Sequence, residues 1–228
     1  MEVFDVPFLF PSYEKVDKAI DGGLGDKLGA EMKKKGVRPI IWADYGFVQF
    51  ANSKKAITKP ADFDGLKLRG YGEMPSETIK ALGAAPVTMG SGEVYMAIQR
   101  GVVDGQTSGT TAMYDRKMYE VTKYLTVTNH AYPEFILAMN DKAFQKLSPE
   151  QQKILMSAAN EVRDDLRKSA KAEDLNALQK LKEKGMEVYV VPEADLAEWR
   201  AATKPCWDIF VKHAGPLGQE LIDICLRN

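Results

Sequence analysis

The chain has 228 residues, 45% of them apolar and 28% charged, and its 31 Lys and Arg nearly balance its 32 Asp and Glu, for a net charge of −1. Charge this balanced, with no long basic or acidic run, excludes a nucleic-acid surface and attraction to anionic lipid, and the apolar share is that of a folded globular protein. With two histidines and two cysteines in all, neither a resident metal nor a cofactor is expected, and Cys206 and Cys225 read as small buried hydrophobes.

The start, "MEVFDVPFLFPSYEK", lacks the basic lead and the ~7 to 15 residue apolar core of a secretion signal, and no run reaches the ~18 apolar residues of a membrane span. As written, the chain would stay in the cytoplasm.

Residues 12 to 36 place Val16, Ile20, Leu24 and Leu28 at steps of four and stop at Gly36, which predicts one or two helices. Residues 37 to 53 are β-rich and broken at Gly46. After the turn "TKPADFDG" come a strand "LKLR", a helix "PSETIKALG", a strand "APVTM", a helix "SGEVYMAIQRG" with Ser91 as N-cap, and the strand-like "VVDG". This βαβαβ rhythm predicts an α/β fold with parallel strands.

Residues 123 to 140 hold two β-rich runs with no helix between them, so the chain should cross there to a neighbouring sheet. From Ser148 a capping box with Gln151, and Pro149 at the first helical position, open a helix that Gly185 ends. At ~1.5 Å per residue such a helix exceeds ~50 Å, enough to span two domains. A strand "MEVYVV" and C-terminal helices carrying Trp199, Trp207 and Phe210 follow. His213 reads as a cation at a helix C-terminus and His130 as a packing residue near a strand end.

"KLRGYGEMPSE", residues 67 to 77, poses the functional question. A dinucleotide turn needs a small residue where Pro75 stands and an acid after the next strand, and a phosphate loop needs a Gly-Lys-Ser/Thr ending; both are absent. What remains is Arg69 at the carboxyl end of a strand, beside glycines and a helix start. Ligands of open α/β sheets sit at such strand ends, and a guanidinium matches a carboxylate in two hydrogen bonds. A strand-terminal Arg can equally be a surface ion-pair partner.

The runs "DFDGLKLRG", "LGAAPVTMGSGEVYMAIQRGVVDGQTSG", "KMYEVTKYLTVTNHAYPEFILAMN" and "LSPEQQKILMSAANEV", together with "VFDVPFLFPSYEKVDKAIDGGLG", cover nearly the whole chain in order. Together they resemble the extracytoplasmic solute-binding proteins of tripartite ATP-independent periplasmic (TRAP) transporters, the DctP-like family. The resemblance implies two α/β lobes joined by strand crossovers and a long helix, closing on a small organic acid that is handed, unaltered, to the TRAP permease in the membrane. It also implies a periplasmic location, and it gives Arg69 the ligand carboxylate.

On that basis residues 1–66 would form part of domain I and 67–126 domain II. Residues 127–147 would hold crossover strands and a return to domain I, 148–185 the spanning helix, and 186–228 the rest of domain II with closing helices. Two departures bear on the site. Thr107 and Ser108 stand where the family commonly has Glu-Asn, and Ser91 stands where many members carry an aromatic before "GEVY". These imply a roomier, more hydroxyl-lined pocket than a small dicarboxylate binder has, with Gln49, Phe47, Tyr71 and Trp42 completing the expected contacts and Tyr45 a further ring. A third departure is at the front, where a βαβα unit of roughly 80 to 100 residues is expected to be missing. That would leave a sheet edge and apolar faces uncovered. Two rival readings stay open: a ligand-sensing domain of a regulator, and a carboxylate-processing enzyme with Glu93, Asp104 or His130 as acid or base.

Overall fold

The computed structural model describes residues 2–227. After a 3₁₀ turn at Glu2–Asp5, Ser12 caps α1 (Tyr13–Ala19), its hydroxyl accepting from the Lys15 amide. A π-helical kink at Ile20–Leu24, with Gly23 at φ 117°, leads into α2 (Gly25–Lys34). Strands β1 (Val37–Asp44) and β2 (Val48–Asn52) flank Gly46, which has φ 90°. The βαβαβ segment is β3 (Lys67–Gly70), α3 (Glu73–Ala81), β4 (Ala85–Thr88), α4 (Val94–Gln99) and β5 (Gly105–Gly109). Then come α5 (Thr110–Asp115), β6 (Tyr124–Ala131), β7 (Glu134–Asn140), α6 (Asp141–Gln145) and α7 (Pro149–Glu183), a single helix of 35 residues. The chain closes with β8 (Glu187–Val190), α8 (Leu196–Thr203), α9 (Pro205–Ala214) and α10 (Gly218–Arg227).

The strands form two sheets. Six lie in the order β4-β3-β5-β2-β6-β8, with β3 parallel to β4 and β5, β2 antiparallel to β5 and β6, and β6 parallel to β8. The other sheet is the antiparallel pair β1–β7. The chain therefore crosses between sheets at residues 45–47 and again at 132–133, and α7 spans both, packing on β1 and on α5. The first crossing precedes the boundary expected at residue 66: β2 pairs between β5 and β6 in the larger sheet, and its five residues are all buried. Ser91 is likewise not an N-cap. Glu93 stands at that position, its carboxylate accepting the Gly90 amide, so the Ser91 hydroxyl is left for other use.

The cores follow the two sheets. Phe50, Phe63, Leu68, Ile79 and Trp199 fill one side of the larger sheet, and Val94, Met113, Leu125 and Leu181 the other. Ile40, Ile41, Phe144 and Ala159 pack between β1–β7 and α7. The outward face of β7 leaves Phe135 60% and Leu137 55% exposed. Cys206 and Cys225 are free and buried, which pushes their thiols up to about 11 and about 12.

Candidate functional site

Where β3 and β5 end and the chain crosses at 132–133, the structure opens a cavity of about 510 Å³, counted with its mouth, lined by Tyr45, Arg69, Tyr71, Ser91, Ser108, Arg116, Pro133, Glu134 and Phe135.

Arg69 forms its floor. Parallel pairing with β4 and β5 holds the residue in the middle of the sheet, and it is 4% exposed. Its guanidinium donates to two backbone carbonyls, Met89 O at 3.1 Å from Nε and Thr107 O at 3.4 Å from Nη1, and lies 5.5 Å from the centre of the Tyr71 ring. Among the described residues it has no carboxylate partner. Burial holds its pKa below the ordinary arginine value, and Arg116 on the same cavity pushes the same way. A guanidinium so enclosed still has donors to give and a charge uncompensated by protein, which is the condition for taking up an anion.

The hydroxyls around it are organised. Tyr45 Oη and Ser108 Oγ are 3.1 Å apart, and the Gly109 amide donates to Tyr45 Oη. The Tyr45 ring meets Phe135 edge-on at 4.9 Å. Tyr71 donates to Asp5 Oδ1 at 2.7 Å, and burial, the largest influence, lifts that carboxyl to about 6 against the pull of this bond. Ser91 lies exposed at the mouth.

Of the residues expected from sequence, Arg69, Tyr71, Ser91 and Ser108 come together on this cavity, as does Tyr45. Four others do not line it. The Thr107 side chain is fully buried on the other side of β5, bonded to His130 Nε2 at 3.1 Å. Gln49 is used up within the sheet: its carbonyl accepts the Thr128 and Asn129 amides, and its amide donates to Asn129 Oδ1. This stitches the place where Asn129 takes φ 49°. Phe47 sits edge-on between Tyr13 and Tyr132. Trp42 packs on Phe4 beside Gly25, along a different groove. For Thr107 strand alternation is the reason: its neighbour Ser108 on β5 lines the cavity, so Thr107 faces the opposite side.

Sequence reading missed Arg116, Pro133, Glu134 and Phe135. Arg116 caps the end of α5 with its backbone amide on Ala112 O, and among the described residues its guanidinium makes no hydrogen bond or ion pair. Glu134 and Phe135 begin β7, directly after the second crossing. The signal available was the motif "HAYPEF" at a place already read as a crossover.

The acids named for an enzyme serve the fold. Asp104 accepts the Lys67 amide at 2.8 Å, and Glu93 accepts the Gly90 amide in the turn before α4. His130 is 3% exposed, stacked on Phe50 at 4.1 Å, and has a threonine hydroxyl on each ring nitrogen. Burial pushes its pKa down to about 3, so it stays neutral. His213, at the end of α9, lies 3.3 Å from Glu73 with Glu2 nearby, away from the cavity. No helix among the described residues is long and apolar enough to cross a membrane.

Comparison with known proteins agrees with this geometry. Residues 1–213 match the family described as bacterial extracellular solute-binding protein, family 7. The chain is 33% identical over 224 residues, 97% of its length and 67% of the relative's, to the 2,3-diketo-L-gulonate-binding periplasmic protein YiaO of Escherichia coli (strain K12). It is 34% identical over 216 residues, 94% of its length and 65% of the relative's, to the C4-dicarboxylate-binding periplasmic protein DctP of Rhodobacter capsulatus. Among solved structures it is similar to a TRAP periplasmic solute-binding protein from Sulfitobacter sp. NAS-14.1 with bound β-D-galacturonate, at TM-score 0.92 and 28% identity, covering 100% of this chain and 75% of that one. The chain thus spans 33 to 67% of the length of the curated relatives it matches. The two-sheet architecture with its spanning helix is the two-lobed fold of these proteins, and the chain belongs to the bacterial extracellular solute-binding proteins of family 7, which include the solute-binding proteins of TRAP transporters.

Proposed function

We propose that the protein captures a small organic acid in the cavity above Arg69 and delivers it, chemically unchanged, to a TRAP-type permease that imports it on an ion gradient. It acts in the periplasm, as the relatives named above do. The observation that carries this reading is Arg69: a guanidinium 4% exposed, hydrogen-bonded to two carbonyls and, among the described residues, to no carboxylate, at the floor of a cavity. Burying a charge is costly unless it is compensated, and a ligand carboxylate compensates it in two parallel hydrogen bonds.

The residues around Arg69 favour an acid with some bulk. Ser91 and Ser108 keep the cavity open and hydroxyl-lined, while Tyr45, Tyr71 and Phe135 offer ring surface. Related solved proteins hold ligands that span this range, from succinate to β-D-galacturonate. Binding without chemistry is favoured because Glu93, Asp104 and His130, the residues named for catalysis, are engaged in turns and packing.

The test is thermal unfolding across a panel of organic acids, for the wild type and Arg69→Ala side by side. A ligand at ~100 times its dissociation constant adds ~2.7 kcal/mol and raises the midpoint of a protein this size by roughly 5 to 10 °C. The rise should occur with a defined class of acids and vanish in Arg69→Ala. A panel that leaves the wild-type midpoint unmoved refutes the reading, as does appearance of a product.

A further inference from the structure

A second cavity, about 790 Å³ counted with its mouth, opens between α5 and α7, where Asp44, Thr111, Asp115, Glu173 and Asp174 are among its lining. It has three residues in common with the Arg69 cavity: Tyr45, Arg116 and Phe135. Arg116 is exposed, and its guanidinium makes no hydrogen bond or ion pair among the described residues, so it can swing aside. The two rings are restrained. Tyr45 comes from the first crossing and Phe135 from the start of β7, directly after the second; they meet edge-on, centres 4.9 Å apart and planes at 85°. The Tyr45 hydroxyl is 3.1 Å from Ser108 Oγ and accepts the Gly109 amide at 3.3 Å. Its ring lies so close to Gly109 that a Cβ on that residue would stand 2.8 Å from Cε1. Gly109 therefore admits the ring, and contacts to both sheets hold it.

A ring that borders two cavities and is tied to both sheets acts as a wall between them. We propose that Tyr45, backed by Phe135, is the specificity-determining residue of the site: it sets the length of the acid that fits above Arg69 by shutting off the second cavity. This rests on the carboxylate-binding reading above and narrows it to acids that end at the ring pair. A longer ligand has to displace Tyr45, breaking its bonds to Ser108 and Gly109 and its contact with Phe135, or stay out. With the ring gone the two cavities join. The space so added is lined by four carboxylates, which accept from hydroxyls and repel a further acid group, so the extension it suits is uncharged and hydroxylated.

Titration calorimetry with D-gluconate and with lactobionate, the same acid carrying a galactose, tests this on wild type, Tyr45→Ala, Tyr45→Phe, Phe135→Ala and Arg69→Ala. Wild type should bind D-gluconate at least ~10-fold more tightly than lactobionate. In Tyr45→Ala the two acids should move in opposite directions. D-gluconate weakens as ring surface is lost, while lactobionate tightens at least ~10-fold as the second cavity joins the first. Phe135→Ala, at a residue already 60% exposed, should fold normally and shift the preference the same way to a smaller degree. Tyr45→Phe keeps the ring and should keep most of the preference. Arg69→Ala should bind neither acid.

Equal or tighter binding of lactobionate by wild type, a preference that survives Tyr45→Ala, or loss of both acids together in that variant overturns the wall. So does a preference lost as fully in Tyr45→Phe, which would assign it to the hydroxyl. The Arg69 reading then still stands, provided Arg69→Ala abolishes binding. Should Tyr45→Ala fail to fold, Phe135→Ala decides: a shift towards lactobionate supports the wall and an unchanged preference overturns it. Wild type that binds neither acid also overturns it, and the wider panel of acids then decides the Arg69 reading separately.

Discussion

The Tyr13 hydroxyl donates to Asp174 Oδ2 at 2.7 Å, joining the first helix to the long helix across 161 residues of sequence. The same carboxylate accepts the Phe47 amide at the first crossing, and its other oxygen accepts the Thr110 hydroxyl at the start of α5. Asp174 thus ties α7 to both sheets close to where the chain passes between them. Burial, the largest influence, holds its carboxyl above the ordinary range, so these three bonds are made in a poorly solvated place where their loss is felt.

Asp174→Ala should therefore lower stability by about 2 to 4 kcal/mol, read as a shift in the urea midpoint, since three donors lose a common acceptor. Asp174→Asn, which keeps one acceptor oxygen, should lose less. Equal stability of all three proteins would show that the contact is not part of what holds the crossing.

Gly46 occupies the first crossing with φ 90°, and a Cβ there would press into the Asp174 carboxylate. Gly46→Ala combines a left-handed strain with a displaced carboxylate and should cost about 2 to 4 kcal/mol. In the Asp174→Ala background the penalty should shrink towards the backbone share of ~1 to 2 kcal/mol, a coupling that a double-mutant cycle measures.

His130 gives the protein an acid-sensitive core. Its folded pKa is about 3, whereas the unfolded chain's imidazole titrates near ~6.5. Between these values the unfolded state binds more protons, so the contribution is fully present above ~6.5 and is lost as pH falls. The loss is about 1.4 kcal/mol per unit, or about 2 kcal/mol at pH 5. Asp5, lifted to about 6, works in the opposite sense and stabilises as pH falls through 6. Comparing wild type with His130→Gln by urea unfolding at pH 7 and pH 5 isolates the histidine: the variant should be weaker at pH 7 but lose about 2 kcal/mol less on acidification.

Arg116 is exposed at the cavity and has no ion-pair partner among the described residues. Its charge is screened within ~8 to 10 Å at ordinary ionic strength, so it should steer an acid more than grip it. Arg116→Ala is expected to slow association several-fold at low salt and to flatten its salt dependence, with dissociation little changed. Stopped-flow binding at two ionic strengths decides this.

Leu137, on the outward face of β7, is 55% exposed beside Phe135 at 60%. Such an apolar strand face, on a sheet of only two strands, invites self-association. Leu137→Lys should reduce concentration-dependent light scattering while moving the unfolding midpoint by less than about 0.5 kcal/mol. Unchanged scattering would place any association elsewhere.

How much of this was legible in sequence depended on the range of the interaction. The capping box at Ser148 and Gln151, the stop near Gly185 and the parallel β3-α3-β4-α4-β5 unit are local signals, and all appear as read. The place of β2 between β5 and β6 was not, because antiparallel pairing with strands over 50 residues away leaves no periodic trace in five residues. Arg69 was visible because the chemistry of a guanidinium and its strand-end position coincide. Thr107 and Gln49 misled because family position identifies a residue, while strand alternation and competing hydrogen bonds decide which way its side chain turns. Glu134 stayed hidden because its place at the cavity follows from the second crossing, which only three-dimensional packing reveals.

The pairing of Tyr124 with Glu187 spans the entire long helix. The sheet that carries Arg69 and Ser108 therefore reaches its full width only after α7 has docked and β8 has returned to β6. Contacts so distant in sequence make for slow folding. Ligand bound across that finished sheet stabilises a state beyond the folding transition state. It should therefore act mainly on the rate of unfolding, making the loaded receptor long-lived rather than quick to form.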